Sequence, residues 1–163
     1  RGDCAMHPNL NVLIDYFASR NLKIELVTNG TIRGPKWFSF LAQTPNLLVT
    51  FSIDGLKDSY SYYRINGEFD RAMENAAAFI EAGGKAEWKY IIFRHNEKDL
   101  EPAKQLAKDM GFVVSFGRTS EGLSFSKTRG RYGTRTRRAT RSRSITRGSA
   151  SCSTASRAGI CTI

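Results

Sequence analysis

The chain has 163 residues, a formal net charge of +10 at pH 7, two histidines and three cysteines. That length fits one ordinary domain, or a smaller domain followed by a tail. Residues 1–120 hold 15 Lys+Arg against 14 Asp+Glu, whereas residues 121–163 hold 10 against 1, so the excess charge is excluded as a property of the first three-quarters and with it a basic folded surface for nucleic acid or membrane. Cys4, Cys152 and Cys161 are too few for a disulfide framework. No secretory signal or bilayer-length apolar run is present, and a reducing, cytoplasmic setting is the default. The opening "RGDCAMHP" starts on a loop without an initiating methionine, which points to a fragment or a trimmed chain.

"PNLNVLIDYFASRN" places Leu10, Leu13, Ile14 and Phe17 on one helical face. "LKIELVTNGT" reads as a strand ending in Asn-Gly, and "GPKWFSFLAQT" as a short helix with proline in its first turn. "NLLVTFSIDG" is a buried strand that turns out at Gly55, and "LKDSYSYYRIN" a weaker, tyrosine-rich helix. "FDRAMENAAAFIEAGG" is the clearest helix, with Asp70 as its cap, Ala72, Met73, Ala76 and Ile80 as its apolar stripe, and Gly83-Gly84 as its end. "KAEWKYIIFRHN" is a long strand, "DLEPAKQLAKDMG" a helix with Leu100, Ala103, Leu106, Ala107 and Met110 inward, and "FVVSF" a last strand.

Strands thus begin near residues 22, 47, 86 and 112 with helices between them. This alternation predicts an α/β fold with a parallel sheet and right-handed crossovers, open or curved into a barrel. Four strands cannot close a barrel, and in either architecture chemistry sits at the carboxyl ends of strands. Ser52 and Asp54, two apart at such an end, point to one side of an extended chain. Asp54 either faces a ligand there or caps the next helix.

After Gly117 the pattern stops. Residues 121–163 contain 29 Ser, Thr, Arg or Gly among 43, with no sustained period of 2 or 3.6. Such a segment is predicted to be disordered. It is a basic tail that grips nucleic acid, a linker, or a stretch translated out of frame. The first of these would make the chain an α/β binding module rather than an enzyme.

Three strand ends carry marked residues: Thr28-Asn29-Gly30, Ser52-Ile53-Asp54-Gly55 and Arg94-His95-Asn96. In order and spacing, these segments resemble the core of the radical SAM superfamily over roughly residues 2–116. "GDCAMHPNL" is similar to that family's glycine-glycine-acid loop with its following His-Pro and aliphatic helix. "ELVTNGT" is similar to its third strand, "VTFSIDG" to its fourth, and "FRHNEKDL" to the exit from its fifth. The resemblance implies residues 1–118 as a core fragment, a partial (βα)6 TIM-like barrel of parallel strands, with residues 119–163 as the tail.

It further implies an enzyme whose strand ends hold S-adenosylmethionine against a 4Fe–4S cluster, where reductive cleavage gives a 5′-deoxyadenosyl radical that abstracts a substrate hydrogen. In that reading the Gly2-Asp3 loop meets the methionyl ammonium, and Ser52 and Arg64 hold the methionyl carboxylate. Thr28 and Asn29, ahead of Gly30, line the adenosyl side. Asp54 lies near the ribose hydroxyls or shapes the turn below them, and Asn96 sits at the cavity floor. A peptide or other large substrate, and an electron donor for the cluster, are the implied partners of the intact protein.

The sequence departs from the family in lacking CxxxCxxC: Cys4 is isolated, and Cys152 and Cys161 are nine apart in the tail. Arg1 also stands where the family has its first glycine. This chain is therefore expected to hold no cluster and to be inactive by itself. Bland readings remain for single residues. Thr28-Asn29-Gly30 serves equally as an ordinary turn, His7 as a loop-orienting residue, and Tyr60, Tyr62 and Tyr63 as helix packing.

Overall fold

The computed structural model describes residues 2–64, 67–118 and 160–162. A 3-10 turn at Cys4–Met6 and helix α1 (Leu10–Ala18) precede strand β1 (Lys23–Thr28), and α2 (Pro35–Leu41) leads into β2 (Leu47–Ser52). Two helices, α3 (Lys57–Tyr63) and α4 (Phe69–Glu81), lead into β3 (Lys85–Ile92). A second 3-10 turn at Glu97–Asp99 and α5 (Leu100–Met110) then lead into β4 (Val113–Arg118). A short β5 (Ile160–Thr162) completes the described elements.

All strand pairs are parallel, in the order β4-β3-β2-β1-β5. β1 to β4 are laid side by side in chain order, each crossover stepping the same way. A doubly wound sheet would reverse direction part-way. One-way winding is that of a barrel wall, and here the wall is open, with β4 and β5 as its edges. The fifth strand differs from the expected four, because Ile160–Thr162 pairs with Lys23, Ile24 and Glu25 from a segment that carries no strand pattern. The rest of the predicted tail, residues 119–159 and 163, lies outside the described residues.

The helices follow their apolar periodicity with two corrections. In α1, Leu10 and Ile14 are buried, but Leu13 is turned outward and 38% exposed. The start of α4 is not capped by Asp70: the helix begins at Phe69, no side chain caps it, and Asp70 pairs with Lys57 of α3 instead. Within α4 the expected Ala72 and Ala76 are buried, joined by Phe79 and a buried Asn75. Its end is closed by Gly84 N–H to Phe79 O (2.9 Å) and Gly83 N–H to Ile80 O (2.8 Å), the paired bonds of a Schellman motif.

Strand register sorts the sheet into two faces. Ile24, Leu26 and Thr28 pair with Leu47, Val49 and Phe51, and Val49 and Phe51 pair with Ala86 and Trp88. These residues are all buried. Phe51 centres this face, with ring centroids 5.5 Å from Phe38, 6.3 Å from Phe79 and 6.0 Å from Phe112. The alternate residues Val27, Leu48, Ser52 and Ile91 are only half-buried on the opposite face, the one a closed barrel would turn inward.

Candidate functional site

Two hydrogen-bonded groups stand at the carboxyl ends of β1, β2 and β3. The first is built by Asp3, whose carboxylate reaches from the loop before α1 to the tip of β1. Oδ1 accepts from Ala5 N–H (2.9 Å), the Thr28 hydroxyl lies 2.9 Å from both carboxylate oxygens, and Oδ2 accepts from Asn29 N–H (2.6 Å). Gly30 N–H in turn donates to Thr28 Oγ1 at 3.1 Å. Asn29 Oδ1 accepts from Thr31 N–H (2.8 Å) and Thr31 Oγ1 (2.7 Å), which leaves the Asn29 Nδ2 amide as an uncommitted donor among the described residues. Gly30 has φ +78°, and a Cβ there would come within 3.0 Å of the Phe51 ring, so only glycine fits this turn without strain. Gly2, at the head of the Asp3 loop, is exposed.

Cys4 adjoins this group. Its thiol donates to Val27 O at 2.8 Å. Burial, reinforced by the neighbouring Asp3 charge, pushes its pKa up to about 11, which holds it as a neutral thiol.

The second group joins β2 to β3. Asp54 is 2% exposed; its Oδ1 accepts from Ile91 N–H (3.0 Å) and its Oδ2 from Arg64 Nη2 (3.2 Å). Arg64, at the end of α3, also donates from Nη2 to Ser52 O at 3.1 Å. Asn96 is wholly buried: its Nδ2 donates to Asp54 O (3.0 Å) and Ile91 O (2.9 Å), and its Oδ1 accepts from Phe93 N–H (2.7 Å). Asp54 therefore braces two strand tips and caps no helix. The start of α3 is closed by Ser59, whose hydroxyl accepts from Leu56 N–H at 3.1 Å. Gly55 turns the chain between them at φ +151°, with Tyr60 N 2.9 Å from where a Cβ would stand.

What remains uncommitted is informative. Among the described residues the Ser52 hydroxyl makes no hydrogen bond, and Arg64 Nε and Tyr60 Oη are buried without partners. The tips thus present the Ser52 hydroxyl, the Asn29 amide and Nη1 of the 28% exposed Arg64 side chain as uncommitted donors among the described residues. Burial raises the Tyr60 pKa, with the Arg64 charge opposing it, so that phenol too stays a donor. His95 stands between the rings of Tyr62 (4.9 Å) and Phe93 (5.4 Å), and burial lowers its pKa against the pull of Asp54 and Asp99. His7 accepts from Asn9 N–H at 3.2 Å, a loop-orienting contact.

Two cavities lie elsewhere. One of about 460 Å³ is lined by Lys57, Ser61, Glu68, Phe69 and Asp70, and one of about 260 Å³ lies at the amino ends of β1 to β3 near Lys23, Asn46 and Lys85. Neither borders Asp3, Asn29, Ser52 or Arg64. Among the described residues no group of three His, Cys, Asp or Glu side chains could hold a metal ion, and none of their helices is long and apolar enough to cross a membrane.

Sequence reasoning placed Thr28, Asn29, Ser52, Asp54 and Asn96 at neighbouring strand ends, where they stand, and Arg64 after the second of them, where it ends α3. It missed the direct Asp54–Arg64 pair and Asn75, whose Nδ2 donates to Gly30 O at 2.6 Å. The readable signal for Asn75 was a polar residue between Ala72, Ala76 and Phe79 on the buried stripe of α4.

No family model matches the chain. The mycofactocin maturase MftC of Mycobacterium tuberculosis is 30% identical over 121 residues, which cover 72% of this chain and 30% of that protein. AlbA of Bacillus subtilis, an antilisterial bacteriocin subtilosin biosynthesis protein, is 23% identical over 127 residues. In structure, SuiB of Streptococcus suis superposes with a TM-score of 0.66 at 16% identity, covering 80% of this chain and 31% of SuiB. The chain belongs to the radical SAM superfamily. Its open parallel wall is part of the barrel found in that superfamily. A further structure, anSMEcpe with bound AdoMet, superposes with a TM-score of 0.53 at 24% identity, covering 68% of this chain and 30% of that one. The chain spans about 30% of the length of the curated relatives it matches.

Proposed function

We propose that this radical SAM chain forms the part of the core that binds S-adenosylmethionine across the carboxyl ends of β1, β2 and β3. The observation that carries the reading is the set of donors left open there: Ser52 Oγ, Asn29 Nδ2 and the Arg64 guanidinium, beside an Asp3 carboxylate pinned to β1. A methionyl group carries a carboxylate and an ammonium on one carbon, and it needs a cation and an anion on neighbouring supports. Arg64, already oriented by Asp54 and Ser52 O through Nη2, turns Nη1 to the carboxylate, with Ser52 as a second donor. The Gly2-Asp3 loop faces the ammonium with its charge and backbone carbonyls. Thr28, ahead of Gly30, holds the tip on which Asn29 donates to the adenosyl portion. Of the two roles open to Asp54, shaping the turn is the one its full set of bonds supports. Asn96, equally committed, holds the pocket floor from below.

When bound, S-adenosylmethionine supplies the homolytic, hydrogen-abstracting chemistry of the superfamily. The described residues do not fit the 4Fe–4S cluster: Cys4 is isolated and held neutral against Val27 O, and no step is derived through that group. In the whole protein the substrate is a peptide. One structural neighbour is SuiB bound to its precursor peptide SuiA, which supports this choice.

Isothermal titration of S-adenosylmethionine into the chain tests the site, with Arg64→Ala as the control. Heat from the parent that falls at least tenfold in affinity in Arg64→Ala is the expected outcome. No heat from the parent, or equal heat from both, refutes the site.

A further inference from the structure

We propose that Asn75 is a positioning residue for S-adenosylmethionine binding: by holding the Gly30 carbonyl it fixes the β1 turn, and so the direction in which Asn29 presents its amide. This rests on the binding site proposed above.

Asn75 lies on the sheet-facing side of α4 and is wholly buried. A buried polar side chain is tolerated when its hydrogen-bonding groups are matched. Asn75 matches only half of its own. Its Nδ2 donates to Gly30 O at 2.6 Å, while Oδ1 has no partner among the described residues. An apolar residue of the same shape would remove that orphaned oxygen but leave the buried Gly30 carbonyl unpaired in its place. Nothing within α4 itself explains an asparagine here. The bond it makes does, because of where it ends.

Gly30 is the pivot of the tip. A Cβ built on Gly30 would lie 3.4 Å from the Ala72 backbone, so α4 presses directly against the turn one helical step from Asn75. The other groups of the turn are fixed from the opposite side: Asn29 N–H by Asp3, Gly30 N–H by Thr28 Oγ1 and Thr31 N–H by Asn29 Oδ1. Without Asn75, the Gly30 carbonyl has no partner, and its peptide plane, at a residue with the widest backbone freedom, is held only by Thr31 N–H on Asn29 Oδ1. Rotation of that plane carries Thr31 N–H with it. Asn29 Oδ1 would keep only its bond from Thr31 Oγ1, and Asn29 Nδ2 would lose its fixed direction.

The test uses the full chain and S-adenosylmethionine as the probe. Asn75→Leu is expected to keep the thermal midpoint within a few degrees of the parent, since the orphaned oxygen it removes offsets the Gly30 carbonyl it leaves unpaired, and to weaken binding about tenfold, the equivalent of one hydrogen bond. In ¹⁵N spectra, binding should shift both the Asn29 side-chain amide and Arg64 Nε in the parent, but only Arg64 Nε in Asn75→Leu. That split separates positioning from general destabilisation. Equal affinity in both proteins, or loss of both signals together with a lowered midpoint, overturns the role of Asn75 and leaves the site intact. If Asn75→Leu does not fold, the Asn75 side-chain amide of the parent decides: it must shift on binding, and a static signal overturns the inference. Absence of binding by the parent removes the site itself, and this role with it.

Discussion

Replacing Asp54 by asparagine tests the brace between β2 and β3 with little change of shape. The new side chain still accepts from Ile91 N–H but no longer offers a negative charge to Arg64. Removing one partner of a buried ion pair costs about 3–5 kcal/mol. Arg64 is 28% exposed and keeps Ser52 O at 3.1 Å, so water and a carbonyl take over part of its charge, and about 2 kcal/mol remains. For a chain of this size that corresponds to a fall of roughly 6 °C in the unfolding midpoint. Asp54→Ala abandons Ile91 N–H as well and should lose about 1 kcal/mol more. The assay is urea unfolding followed by Trp88, which is buried and donates to Ile53 O beside the brace. A double-mutant cycle with Arg64→Ala should give a coupling of about 1–2 kcal/mol. Asp54→Asn within about 0.5 kcal/mol of the parent, with no coupling, would refute the brace.

Cys4 should be alkylated at pH 8 roughly a hundredfold more slowly in the folded chain than in urea, because its pKa is raised from 9.0 to about 11; equal rates would show that the thiol is not held by Val27 O. His95 has a folded pKa below its unfolded value of 6.5, so the unfolded chain binds more protons. Its contribution to stability is complete above about pH 6.5 and is lost as the pH falls below it. Thermal midpoints at pH 7.5 and 5.0 should therefore differ less in His95→Phe than in the parent, and an unchanged difference contradicts this. Phe51→Ala should cost about 3–5 kcal/mol, since the ring sits between Phe38, Phe79 and Phe112. A loss below about 1 kcal/mol would mean that the core does not converge on it.

The architecture was readable because each strand and helix declares its own period. The strands expected to begin near residues 22, 47, 86 and 112 begin at Lys23, Leu47, Lys85 and Val113, and the marked residues after the first three lie at or just beyond strand tips. Local pattern could not say how those residues divide between one another and a ligand. Asp54 and Arg64 are ten apart in sequence and touch only because α3 folds back over the β2 exit. Asn96 matches its amide with Asp54 O, 42 positions earlier. Asp70 occupied a plausible capping position, yet Lys57 across the α3–α4 turn draws it away. Leu13 shares the helical period of Leu10 and Phe17 but lies at the margin of a one-sided interface. β5 left no trace in composition, since three residues are too few to show alternation.

The outer side of β1 is occupied by the chain's own Ile160–Thr162, set against Lys23, Ile24 and Glu25. A segment of the same chain competes intramolecularly, at an effective concentration set by its tether. A foreign extended peptide must exceed that level to evict it, whereas the outer margin of β4 meets no such rival among the described residues. Growth of this sheet by added strands is thus biased to one side, and edge-to-edge self-association should begin at Val113 rather than at Lys23.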